Sequence, residues 1–145
     1  MRLRQAIHDV KEWNRRFGHL TGDKEERREF WEDNPEHRGL AVDLVLEEVG
    51  ELARAIRGKE TPCSIVPEYT RESQVELLDA ICDILVTTFG VAAKAGLEDV
   101  VEDAFDEVME SNWSKLDAGG NPVYYDNGKI AKSDLYRAPD LEQFV

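Results

Sequence analysis

The chain is poor in cysteine, histidine and basic side chains. Two cysteines among 145 residues, Cys63 and Cys82, supply no disulfide framework. Three histidines, His8, His19 and His37, are too few to complete a zinc cluster with them. Eighteen Lys and Arg stand against 31 Asp and Glu, a net charge of −13, so no basic stripe is available to neutralise a nucleic-acid backbone. A phosphate-bearing ligand therefore calls for metal ions as its local positive charge. The longest apolar stretch, near Ile81 to Ala93, is broken by Asp83 and is too short to span a bilayer. Met1 to Phe17 is polar and charged, unlike a signal peptide. The expectation is a cytoplasmic protein that partners neither membrane nor nucleic acid.

What is present suits one domain over 1–145 with a single sizeable core, since 41% of residues are apolar and 34% charged. Leu3, Ile7, Val10 and Phe17 recur at helical spacing and Gly18 is a natural stop, so a first helix is expected. Thr21 to Asp33 is highly charged and reads as a connection with at most a short helical turn. Asn34-Pro35 fits an N-cap followed by proline at the first helical position. The second helix then runs to about Arg57, with Gly58 ending it. Thr61 to Arg71, carrying Pro62 and Pro67, reads as a loop. Ser73-Gln74-Val75-Glu76 fits a capping box opening a third helix, a start nearer Thr70 being the alternative, and Gly96 closes it. Leu97 to Leu116 forms a fourth helix on a Val101, Ala104, Phe105, Val108 stripe. Beyond it lie turn residues, then a small hairpin over Val123 to Ile130 around Asp126-Asn127-Gly128. The expected architecture is all-α, a four-helix core over about 3–116 with an irregular tail over 117–145.

Six acids stand out on two helices that otherwise read as core: Glu47, Glu48 and Glu51 on the second, Glu76, Asp79 and Asp83 on the third. Val42, Val45, Val49, Leu52 and Ile56 share one narrow face, and Glu48 lies at its edge, roughly 80° from the centre. Glu76, Asp79 and Asp83 fall within an arc of about 60° on a helix otherwise rich in Leu, Ile, Val, Phe and Ala. Antiparallel packing of these helices brings the strips face to face. Taking carboxylates out of water is costly unless something positive compensates them, and Arg54, Arg57 and Lys94 are the nearest cations in sequence. Converging carboxylates without protein cations are the ligand chemistry of hard divalent metals such as Mg²⁺ or Mn²⁺. The bland alternative is a solvated acidic face, with Glu47 paired to Arg54 and Glu76 serving as the capping partner of Ser73. Asp79 and Asp83 resist that reading, because Asp is a poor residue inside an apolar helix.

Glu47-Glu48-Val49-Gly50-Glu51 followed by an acidic helix resembles the all-α nucleoside triphosphate pyrophosphohydrolases, the MazG-like superfamily. That superfamily combines an E-x-x-E segment with E-x-x-D on the next helix. Asp79-Ala80-Ile81-Cys82-Asp83 looks like the branch whose second motif is D-x-x-x-D, although Glu76-Leu77-Leu78-Asp79 fits E-x-x-D by spacing. Ser111-Asn112-Trp113-Ser114-Lys115-Leu116 and the later Asp126-Asn127-Gly128-Lys129 are similar to the tail of phosphoribosyl-ATP pyrophosphohydrolase-like and dUTPase-like members. The resemblance covers roughly Val42 to Lys132. It implies cleavage of a nucleoside triphosphate between its α- and β-phosphates, and a homodimer. Two or three Mg²⁺ or Mn²⁺ ions would be held by Glu47, Glu48, Glu51, Asp79 and Asp83, with Glu76 as the alternative, and Glu47 or Glu48 would act as base. Asn112, continuing the Val101, Phe105, Val108 stripe, and Lys115 are expected to contact substrate. Trp13, Phe17 and Trp113 are candidates for stacking on the base, and Lys129 and Lys132 for closing over phosphates. Deoxyuridine or another pyrimidine triphosphate is the expected substrate. Phosphoribosyl-ATP pyrophosphohydrolase of histidine synthesis is the alternative within the fold, and a non-catalytic helical interaction module is the alternative of another class.

Overall fold

A computed structural model describes residues 2–57 and 70–145. Five α-helices occur among them: α1 (Leu3–Arg16), α2 (Lys24–Asp33), α3 (Pro35–Arg57), α4 (Arg71–Lys94) and α5 (Val101–Trp113), with a 3-10 turn at Glu142–Phe144. The all-α expectation holds. The end of the second helix at Gly58 and most of the expected loop from Thr61 lie outside the described residues. The chain divides into two compact units, Met1–Glu98 with α1 to α4 and Asp99–Val145 with α5 and the tail.

The expected connection over 21–33 is instead mostly helix. Asp23 accepts the Glu26 amide at 3.0 Å, and the Glu26 carboxylate accepts the Asp23 amide at 2.9 Å. This reciprocal capping box starts a helix with no apolar stripe to announce it. Asn34 sits at the C-cap of α2 and sends its side-chain amide to the Phe30 carbonyl at 2.8 Å. Pro35 opens α3 as expected. Arg38 reaches back from α3 to donate to the Trp31 and Glu32 carbonyls, satisfying the end of α2.

α1 packs on α4, and α3 packs on α4 most extensively. Ile7 and Ala93 are fully sequestered, while Ala41 and Ala80 are close to it. Gly18 and Gly96 adopt φ of 75° and 69° and so end α1 and α4 where their lack of a Cβ permits the left-handed turn. α4 begins one turn before the Ser73 box. Thr70 is its N-cap, the Thr70 and Ser73 side chains closing the box between them. Ser73 is thereby committed to Thr70, and Glu76 has no capping role.

A charged cluster pins the first unit. Glu98 is buried, and one of its oxygens accepts from Lys11 of α1 at 3.3 Å and from Arg27 of α2. Arg27 also donates to the Ala93 carbonyl at 2.9 Å, tying α2 to the end of α4.

In the second unit, α5 begins at Val101, later than expected, and the hairpin reduces to a single antiparallel bridge, Tyr124 with Ile130. Arg137 ties the tail to α5 by bonds to Glu107 at 2.6 Å and Glu110 at 2.7 Å. The buried Ser111 hydroxyl adds a bond to the Arg137 carbonyl at 2.8 Å.

Candidate functional site

The facing of α3 and α4 can be read from their charges. His37 of α3 feels Lys94 of α4, and Glu48 of α3 feels Asp83 of α4. Moving eleven residues forward on α3, from His37 to Glu48, moves eleven residues back on α4, from Lys94 to Asp83. The helices are therefore antiparallel, and the two acidic strips meet.

Glu48 is the centre of that meeting. Its carboxyl is held above the ordinary glutamate range by desolvation first, then by the charges of Asp83, Glu51, Glu47 and Asp79. Five of the six acids singled out from the sequence thus share one field. Glu76, exposed one turn further towards the N-terminus of α4, is not among the charges that perturb Glu48. Protein cations do little to compensate. Arg54 approaches Glu51 at 3.7 Å with both side chains about half exposed, an arrangement worth little in water. The expected alternative of Glu47 paired with Arg54 is not what forms.

The donor set fits a hard divalent cation in chemistry and in charge: several carboxylates, one partly desolvated, mutually repelling and weakly paired. It is not a finished coordination sphere. Among the described residues no three His, Cys, Asp or Glu side chains converge closely enough to hold a metal ion.

The candidates for nucleotide contact are divided between the units. In the first, Trp13 is about half exposed, with its ring centroid 4.8 Å from that of Phe17 and 5.8 Å from that of His19. In the second, Asn112, Trp113 and Lys115 line one cleft of about 260 Å³ with Met109, Leu116, Pro122 and Ile130. The inward placement expected for Asn112 is not found. Ser111 is the buried residue of α5, and Asn112 is exposed, its side-chain oxygen accepting from Lys115 at 2.8 Å. Asn112 is not the helix cap either, since Ser114 occupies that position. Lys132 lies over the Tyr136 ring, 4.3 Å from its centroid, and Lys129 is exposed.

None of the described helices is long and apolar enough to cross a membrane. A model of the phosphoribosyl-ATP pyrophosphohydrolase family matches residues 10–112. An uncharacterized protein of Acanthamoeba polyphaga mimivirus is 33% identical over 88 residues, which is 61% of this chain and 30% of that protein. The chain thus spans less than a third of that relative's length.

Proposed function

The chain belongs to the phosphoribosyl-ATP pyrophosphohydrolase family, and from that premise we propose that it is a Mg²⁺- or Mn²⁺-dependent nucleoside triphosphate pyrophosphohydrolase. Water attacks the α-phosphorus, the bond to the β-phosphate bridge breaks, and the products are a nucleoside monophosphate and pyrophosphate. The observation that carries this reading is the field of Asp83, Glu51, Glu47 and Asp79 around the partly desolvated Glu48.

Glu47, Glu51, Asp79 and Asp83, with Glu48, would hold the metal. When bound, the metal neutralises the triphosphate and lowers the pKa of the attacking water. Glu48 is the carboxylate best suited to accept that water's proton, because its surroundings raise its proton affinity towards the working pH. Glu47 is the alternative base. Glu51, with Arg54 3.7 Å away, is a ligand in this reading.

A homodimer belongs to the same reading. Leu40, Leu44, Leu46, Leu78, Ile81 and Leu85 on α3 and α4 are exposed in the single chain. A second copy covering such surface gains roughly 25 cal/mol per Å² of apolar area removed from water.

For the substrate we propose a pyrimidine deoxynucleotide such as dUTP, read by the Asn112 amide in the cleft it shares with Trp113 and Lys115. Trp13, Lys129 and Lys132 remain proposed contacts, each to be tested by its own variant. The family match equally favours phosphoribosyl-ATP. A panel of nucleoside triphosphates and phosphoribosyl-ATP, assayed with Mn²⁺ by pyrophosphate release, tests the reading. Release of single phosphate groups would overturn the bond assignment, and preference for purine substrates would overturn the pyrimidine. A calorimetric titration without site-specific Mn²⁺ binding would instead favour a non-catalytic interaction module.

A further inference from the structure

At the other end of the α3–α4 pair lies a cleft of about 430 Å³, lined by the α1–α2 turn (His19 to Gly22), Glu26, Arg27 and Phe30 of α2, His37 and Lys94. His37 precedes Glu47 by ten residues, about 15 Å along α3, so the cleft is separate from the acidic field.

Its charges are unevenly satisfied. Each guanidinium nitrogen of Arg27 already has an acceptor, in Glu98, the Ala93 carbonyl and the Gly22 carbonyl. Glu26, the one acid in the lining, accepts the Asp23 amide at 2.9 Å. Lys94 differs from both. It is partly buried, yet among the described residues it has neither a hydrogen-bond acceptor nor an ion-pair partner, in a chain of net charge −13. The carbonyl end of α4 favours a cation there, but among the described residues no carbonyl accepts from the ammonium. His37 stands in the first turn of α3, where unpaired amides and the helix dipole favour an anion. Its ring is held in place edge-on by Phe30 at 5.0 Å and Trp31 at 5.9 Å.

We propose that this cleft is a second anion site that takes a phosphoryl group on the Lys94 ammonium, with the His37 and His19 imidazoles as further donors. An ammonium and an imidazole that burial has made less willing to carry charge are the groups whose cost a bound dianion removes. Two sources share the chemistry: free phosphate, and the far phosphate of a substrate phosphorylated at both ends, as phosphoribosyl-ATP is. Only the choice between sources rests on the pyrophosphohydrolase reading.

The test uses the full chain in excess chelator, with inorganic phosphate as the probe and the histidine ring resonances as the readout. No metal or turnover is involved, so failure of the catalytic proposal leaves this result interpretable. Phosphate should shift the His37 and His19 signals saturably and raise the pKa of the His37 ring. Lys94→Met should weaken binding by about tenfold or more, and Lys94→Arg should restore it, as loss and return of one charge-assisted contact. Lys94→Gln serves if the methionine variant does not fold. Unshifted histidine signals, or equal affinity without the Lys94 charge, would overturn the site. With metal restored, Michaelis constants then assign the source. A KM for phosphoribosyl-ATP raised about tenfold by Lys94→Met, with that for dUTP unchanged, identifies the substrate's far phosphate. Unchanged KM values for both, with phosphate binding established, identify free phosphate.

Discussion

Asp83 on α4 faces Glu48 on α3, and after desolvation it is the largest influence holding the Glu48 carboxyl above the ordinary glutamate range. Two acids brought together in this way without a strong cation leave the metal-free fold bearing their repulsion.

That repulsion has a defined sign. Glu48 binds its proton more tightly in the folded chain than in the unfolded one, so its ionised form costs stability above its folded pKa. The cost fades as pH falls through the raised pKa and is gone below the ordinary glutamate value. Glu48→Gln removes the cost, so in chelator at neutral pH the variant should melt higher than the parent. The difference should vanish on acidification through that window. A variant that melts lower at neutral pH, followed by circular dichroism, would refute the repulsion.

Metal should act in the opposite direction to chelator. Saturating Mn²⁺ at about 100 times its dissociation constant stabilises a one-site protein by about 2.7 kcal/mol, and pyrophosphate release should be absent in excess chelator. A melting temperature indifferent to Mn²⁺ would count against the acidic field as a metal site.

The proposed ligands separate by substitution. Asp83→Asn and Glu51→Gln should each remove most turnover while leaving the helical signal intact. Glu76→Gln should be close to the parent, since Glu76 neither perturbs Glu48 nor caps α4. An inactive Glu76→Gln beside an active Asp83→Asn would make Glu76 and Asp79 the pair.

The Glu98 cluster predicts stability rather than activity. Its second carboxylate oxygen is buried with no hydrogen-bond partner among the described residues, so the first depends on Arg27 and Lys11. Arg27→Met should cost up to about 3–5 kcal/mol in denaturant unfolding, because it leaves the buried Glu98 with Lys11 as its one remaining cation partner among the described residues. Adding Glu98→Leu should recover much of that loss. A single variant as stable as the parent would show that the cluster contributes little.

Much of this was legible in the chain. Stop glycines at 18 and 96 and the helical repeat of Leu3, Ile7 and Val10 set the bounds of α1 and the end of α4, because each signal acts within a turn or two. The acids of this field were also visible as residues out of place on apolar helices. α2 was readable too, in Asp23 and Glu26 three residues apart, but with Phe30 and Trp31 its only apolar residues it offered no periodicity to confirm it. Thr70 and Ser73 outcompeted Ser73 and Glu76 as the cap of α4 at nearly equal local merit, and that choice removed the structural role foreseen for Glu76.

Tertiary structure alone decided which charges meet. Sequence spacing placed Glu48 and Asp83 on faces of two separate helices, but only the antiparallel register of α3 against α4 set them opposite each other. The same register carried Lys94 to His37, and helix packing carried Arg27 to Glu98 across 71 residues. Periodicity and capping depend on neighbours a few residues apart and are written into the chain. Register depends on how whole helical faces bury one another, and no short stretch of sequence contains it.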